Sequence, residues 1–161
     1  MALAAQTKLF NTLLQQIRID YPVITFMLSS ESRWEPRSKT IFYNPKQDRP
    51  EWSLLHELGH MQAQHSSYSS DVQLLAMELE AWELAKVIAK DYSISVDQGR
   101  IDECMDSYRD WLHKRSSCPR CHQTGVQGTT QVYRCPNCHE QWSVSSSRFC
   151  RPYRKKQNTP H

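Results

Sequence analysis

Two sets of residues in this chain have spacings that can do chemistry. The first is His56-Glu57-Leu58-Gly59-His60. The second is a pair of Cys-Pro-x-Cys turns, Cys118-Pro119-Arg120-Cys121 and Cys135-Pro136-Asn137-Cys138. On a helix, residues four apart share a face one turn apart, so both imidazoles can reach one metal ion. Glu57 then projects beside that metal, where a carboxylate can polarise a water. Leu54, Leu55 and Met61 surround the polar triplet with apolar side chains. A carboxylate and two imidazoles in such surroundings need a metal to satisfy them. Glycine weakens a helix by about 1 kcal/mol relative to alanine, so Gly59 signals the close approach of another element.

A catalytic zinc takes three protein ligands and keeps one position open. His65 lies five residues after His60, and on a continued helix it would point about 140° away. That geometry makes it a surface or supporting residue. The better source is the following helix, with Glu78, Glu80 and Glu83. At 100° per residue, Leu74, Leu75, Ala81, Trp82, Ala85 and Ala89 form one apolar arc, and Glu78 falls inside it. Glu80 and Glu83 fall on the opposite side. A carboxylate within an apolar stripe is costly unless compensated, and a metal would compensate it. Glu78 is therefore the expected third ligand of a catalytic Zn²⁺ held by His56 and His60, with Glu80 the fallback. Tyr68, Tyr92, Tyr108 and His113 are all chemically able to stabilise an oxyanion, and none is singled out.

The four paired cysteines Cys118, Cys121, Cys135 and Cys138, with 13 residues between the pairs, fit a closed tetrahedral four-thiolate site, which is structural zinc rather than catalytic. Fewer than about 40 residues cannot fold on their own core, so metal binding would supply most of the stability. Two zinc ions per chain are expected, one catalytic and one structural. Cys104 reads as a small packed residue, and Cys150 has no assigned place.

The elements that must position these groups can be read in order. Residues 2–19 form an amphipathic helix with Leu3, Leu9 or Phe10, Leu13, Leu14 and Ile17 on one face. Val23 to Leu28 and Thr40 to Tyr43 are strands, with a polar loop from Ser29 to Arg37 between them. Asp48 and Pro50 start the metal helix, which runs to about His65. After a serine-rich turn, Asp71 caps a helix reaching Lys90. A further helix spans about Ser95 to Lys114, with Ile101, Cys104, Met105, Tyr108 and Leu112 on one face. Ser116-Ser117 opens a linker, residues 124–132 form a hairpin, and Gln141 to Val144 a strand.

Of 161 residues, 39% are hydrophobic and mean hydropathy is -0.71, which excludes a membrane protein. No apolar run approaches the ~20 residues of a bilayer span. The first twenty residues lack the parts of a secretory signal, so the cytoplasm is expected. Net charge is +3, unevenly spread. Residues 1–112 carry 11 Lys/Arg against 16 Asp/Glu, and residues 113–161 carry 9 against Glu140 alone. Arg120, Arg134, Arg148, Arg151, Arg154, Lys155 and Lys156, with Tyr133, Trp142, Phe149 and Tyr153 among them, could bind nucleic acid through phosphates and stacking. A protein-docking module with an acidic partner is the competing reading.

Glu78-Leu79-Glu80-Ala81 downstream of the histidine motif resembles the gluzincin arrangement. The small size and the string Leu55-His56-Glu57-Leu58-Gly59-His60 resemble the ImmA/IrrE-like peptidases and other minimal gluzincins. The resemblance covers residues 20–92 and departs at Trp82, where many relatives place Asp or Asn. It implies an α+β, zincin-type fold with helices packed on a short antiparallel sheet, in which Thr40 to Asn44 is an edge strand that pairs with an extended substrate. The layout is also similar to SprT-like proteins, which use a third histidine. The expected organisation is a metallopeptidase domain over residues 1–115, a zinc ribbon over 116–150 and a basic, disordered tail over 151–161. The expected function is a zinc-dependent endopeptidase with Glu57 as its base, acting on a protein or peptide, a DNA-binding protein being one version. The alternative is a non-catalytic, zinc-stabilised nucleic-acid or protein adaptor.

Overall fold

The computed structural model describes the backbone of residues 2–129, 131–146 and 155–156, and side chains over 7–129 and 131–146. It is a mixed α and β chain that divides into two units, residues 1–66 with 77–98, and residues 67–76 with 99–161. Among the described residues no helix is long and apolar enough to cross a membrane.

The first unit opens with α1 (Ala2–Asp20). Phe10, Leu13, Leu14 and Ile17 are buried while Leu9 is half exposed, so the 3.6-residue period selects Phe10 over Leu9 for the inner face. Strands β1 (Thr25–Leu28), β2 (Arg33–Glu35) and β3 (Thr40–Tyr43) form one sheet in the order β1-β3-β2. β1 and β3 run parallel, and β2 and β3 antiparallel. Three expectations are corrected here. The sheet is mixed rather than antiparallel. Part of the expected loop from Ser29 to Arg37 is strand β2. And Thr40 to Tyr43 is the central strand, not an edge. The near-complete burial of Thr40 and Ile41 is the physical counterpart, since a central strand is covered on both sides by neighbours.

Helix α2 spans Pro50–Gln62. Its cap position is Arg49, in the left-handed region at φ 50°, with no side-chain cap, and Pro50 follows at the first helical position. Asp48 stands one residue before the cap position. Proline fits that place because its missing N–H has no helical partner anyway. The helix ends three residues earlier than the periodicity suggested. Gln64 adopts φ 57°, its N–H bonds to the Met61 carbonyl, and the His65 N–H bonds back to the His60 carbonyl. This paired 5→2 and 6→1 arrangement is a Schellman close, here with glutamine in the place glycine usually takes.

Helix α3 spans Asp71–Asp91. Ser70 rather than Asp71 caps it, its Oγ accepting the Gln73 N–H at 3.1 Å while the Gln73 side chain reaches back to Ser69. Within the first unit α3 buries Ala81, Trp82, Ala85, Ile88 and Ala89. A Cβ on Gly59 would overlap the Ala81 carbonyl, so α2 and α3 touch backbone to backbone at that point.

In the second unit, α4 (Gln98–Ser116) is grouped from Gly99 onward with the cysteine module. α4 ends at Ser116, beside the expected boundary after residue 115, and the first turn of α3 is grouped with this unit as well. β4 (Val126–Thr129), β5 (Val132–Arg134), β6 (Gln141–Ser143) and β7 (Lys155–Lys156) form an antiparallel sheet in that order. The expected disordered tail lies outside the described residues apart from β7, and so do Arg148, Phe149 and Cys150. Trp142 and Tyr133 stack 5.7 Å apart within the core. Arg115 is buried with Asp71 at 2.8 Å, and Tyr133 also donates to Asp71. These bonds tie the end of α4 and the start of α3 to the sheet.

Candidate metal centre

α2 and α3 bring three ligand-type atoms together. His56 Nε2 lies 3.1 Å from Glu78 Oε2 and 3.1 Å from His60 Nε2, and His60 Nε2 lies 3.6 Å from the same carboxylate oxygen. Tetrahedral ligands about 2.1 Å from a zinc ion stand about 3.4 Å apart, so the three atoms fit one ion. The burial is that of a site and not a surface cluster, with His56 and His60 each 9% exposed and Glu78 2%. The helical register explains the convergence. His56 and His60 share one face of α2, and Glu78 interrupts the apolar face of α3 one turn before Ala81, where Gly59 lets the two helices approach. His56, His60 and Glu78 thus form the group able to hold a metal ion, with neither Glu80 nor His65 in it.

Electrostatics separate the two buried carboxyls. Burial alone would raise Glu78, but hydrogen bonds from His56 and His60 outweigh it and hold its pKa well below the usual carboxylate range. For Glu57 the balance reverses. Burial raises its pKa, and the opposing pull of His56, His60 and a hydrogen bond from the Trp34 backbone does not cancel it. A raised carboxylate beside a metal group suits proton transfer.

The surroundings treat the two histidines differently. The His56 ring packs against Trp82, with centroids 4.2 Å apart, and its Nδ1 has no hydrogen-bond partner among the described residues. His60 instead has His65 behind it, Nδ1 to Nδ1 at 2.8 Å, and His65 Nε2 reaches Glu80 Oε2 at 3.1 Å. The Schellman close makes this contact. It folds His65 back over the last turn, so the angle expected for a continued helix does not apply.

Trp34 was not singled out in the sequence. Its backbone bonds to Glu57 and its indole Nε1 donates to the His65 carbonyl at 3.1 Å. β2, an edge of the sheet, therefore borders the site. The one available signal was a large aromatic isolated in a polar segment. Of the groups able to steady an oxyanion, the Tyr92 hydroxyl is committed to Asp20 at 2.8 Å, and the His113 Nδ1 lies 3.3 Å from Ser117 Oγ.

In the second unit Cys118, Cys121, Cys135 and Cys138 converge, with Sγ atoms 3.6 Å apart for Cys118–Cys138 and 3.4 Å for Cys121–Cys135. Sulfurs around a zinc ion lie about 3.8 Å apart, so this group could also hold a metal. The two turns are alike. His122 and His139, directly after each pair, take φ 61° and return their N–H to the carbonyls of Cys118 and Cys135. The backbone at Gln123 and the Asn137 amide lower the Cys121 thiol, while the other three cysteines raise Cys138. Without a metal the group therefore shares its protons unevenly, and Cys121 is the first to become the thiolate that metals bind.

No protein-family model, curated protein or solved structure matches the chain.

Proposed function

We propose that the chain is a zinc-dependent endopeptidase of gluzincin type, with the metal held by His56, His60 and Glu78. The observation that carries this reading is the convergence of those three buried ligand atoms, 3.1 to 3.6 Å apart, with the raised carboxyl of Glu57 on the same helix turn. Bound zinc would supply Lewis acidity, acidifying a water and polarising the scissile carbonyl. Glu57 accepts the proton of the attacking water and returns it to the leaving amine. The Trp34 N–H orients the Glu57 carboxylate, and Trp82 and Leu58 keep the site apolar. β2 is an edge strand of the sheet, and an edge strand can take an extended peptide by main-chain pairing.

The test is E57Q. It should abolish cleavage of a peptide library while zinc content and thermal unfolding stay close to wild type. A Glu57→Gln protein that cleaves at the full rate would sink the assignment. The four-cysteine group is proposed to hold a second, structural zinc. Over residues 116–146 the sequence holds only Arg120 and Arg134 as basic residues against Glu140, so the basic residues beyond 146 are proposed to draw a nucleic-acid or acidic protein partner.

A further inference from the structure

We propose that His65 and Glu80 are a positioning pair for the His60 ligand, a proposal that rests on the metal-site reading above. Three observations carry it. The His60 and His65 Nδ1 atoms are 2.8 Å apart, the His65 Nε2 atom is 3.1 Å from Glu80 Oε2, and the two rings meet edge-on at 65°. With a metal on the His60 Nε2 atom in place of a proton, one proton assignment completes this chain. His60 Nδ1–H donates to His65 Nδ1, and His65 Nε2–H donates to the Glu80 carboxylate. That assignment leaves the His60 Nε2 lone pair free toward His56 and Glu78, where a metal would take it.

The pair is built into the backbone. The His65 N–H is bonded to the His60 carbonyl, and its own carbonyl accepts from the Trp34 indole. Gln64 holds the left-handed turn between them. His65 is therefore anchored on both sides by backbone bonds that do not involve its ring, and these keep the residue folded back beside His60. His56 has no such partner and leans on Trp82 instead. Of the two histidines of the group, it is thus His60 whose Nδ1 gains a hydrogen-bonded support among the described residues. Glu80, on the outer side of α3 and largely exposed, has its carboxylate turned toward this ring.

The experiment measures zinc affinity of the full chain by chelator competition, with the cysteine-bound zinc as internal reference. H65A should weaken binding at the histidine–glutamate group about 10–100-fold and leave the cysteine group unchanged. H65N, whose Oδ1 replaces the Nδ1 acceptor, should restore most of the loss. E80A should weaken binding in the native chain and add nothing in the H65A background. Visible spectra of the cobalt-loaded chain should shift with H65A and return with H65N. Glu80 is exposed, so E80A folds even where H65A does not, and unchanged affinity in E80A overturns the proposal. So does an E80A effect that persists without His65. A native chain that takes up only the cysteine-bound metal removes the metal-site reading and this proposal together. A native chain that takes up two, with indifferent His65 and Glu80 variants, removes this proposal alone.

Discussion

Gly59 on α2 lies against the backbone carbonyl of Ala81 on α3, closer than any side chain at position 59 could allow. Helix propensity favours Gly59→Ala by about 1 kcal/mol. The overlap is with backbone, which cannot rotate away, and overpacking of this kind costs about 1–3 kcal/mol or more. G59A should therefore lower the unfolding free energy and loosen zinc binding. A G59A chain more stable than the native one, by urea titration, would show that the helices do not meet here.

Glu78 and Glu80 should separate cleanly. Glu78→Ala removes a ligand atom common to both histidine contacts, so the chain should keep one zinc, the cysteine-bound one. Glu80→Ala should keep both, the second more weakly. Metal analysis after dialysis against a mild chelator distinguishes them, and two firmly held zincs in E78A would contradict the ligand set.

The raised pKa of Glu57 has a signature in the metal-free site. A carboxyl raised in the fold contributes stability in full below its unfolded pKa, near 4.5, and loses it as pH rises through the folded value. At neutral pH the buried charge is a liability. E57Q should therefore be more stable than the native chain at pH 7 once the weaker metal is removed, and the difference should vanish below about pH 4.5. Glu78 works in the opposite sense. Its contribution is present above the unfolded pKa and is lost only as pH falls through its depressed folded value, so E78Q should destabilise at pH 7. Denaturant titrations across pH check both signs.

Asp71 and Arg115 are both almost fully buried and bonded to each other at 2.8 Å. Removing one partner leaves the other charge uncompensated, at a cost of about 3–5 kcal/mol. D71A should lower the denaturation midpoint more than any single exposed substitution on α3, such as E83A. An equal effect of the two would mean that the pair is not closed in solution.

Several features were legible because a short-range pattern determined them. The burial of Phe10, Leu13, Leu14 and Ile17 followed the 3.6-residue period. Glu78 was selected from its neighbours by its angle on α3, and the tight helix contact was signalled by Gly59. What could not be read was set by long-range partners. Nothing local to Thr40–Tyr43 reveals that β1 joins it in parallel and makes it central. Asp71 looks like a cap until Arg115 is seen to need its carboxylate and Ser70 takes the role. His65 was placed by extending a helix that stops at Gln62, because glutamine at a left-handed position leaves no mark as plain as glycine. Trp34 owes its importance to two bonds, to Glu57 and to the backbone of His65, that only the fold creates.

The sharing of α3 between the units bears on how such a chain can be inherited. Two motifs on either side of a serine pair look like cassettes that recombination could exchange at residue 116. Yet a crossover there would part Arg115 from the Ser145 carbonyl it donates to and Asp71 from the Tyr133 hydroxyl, leaving a buried carboxylate short of a donor at the root of the helix that carries Glu78. A viable exchange would have to carry residues 67–76 along with the cysteines, two stretches that are not contiguous in the gene. Residues 67–76 and the cysteine module are therefore expected to descend together, as one heritable unit.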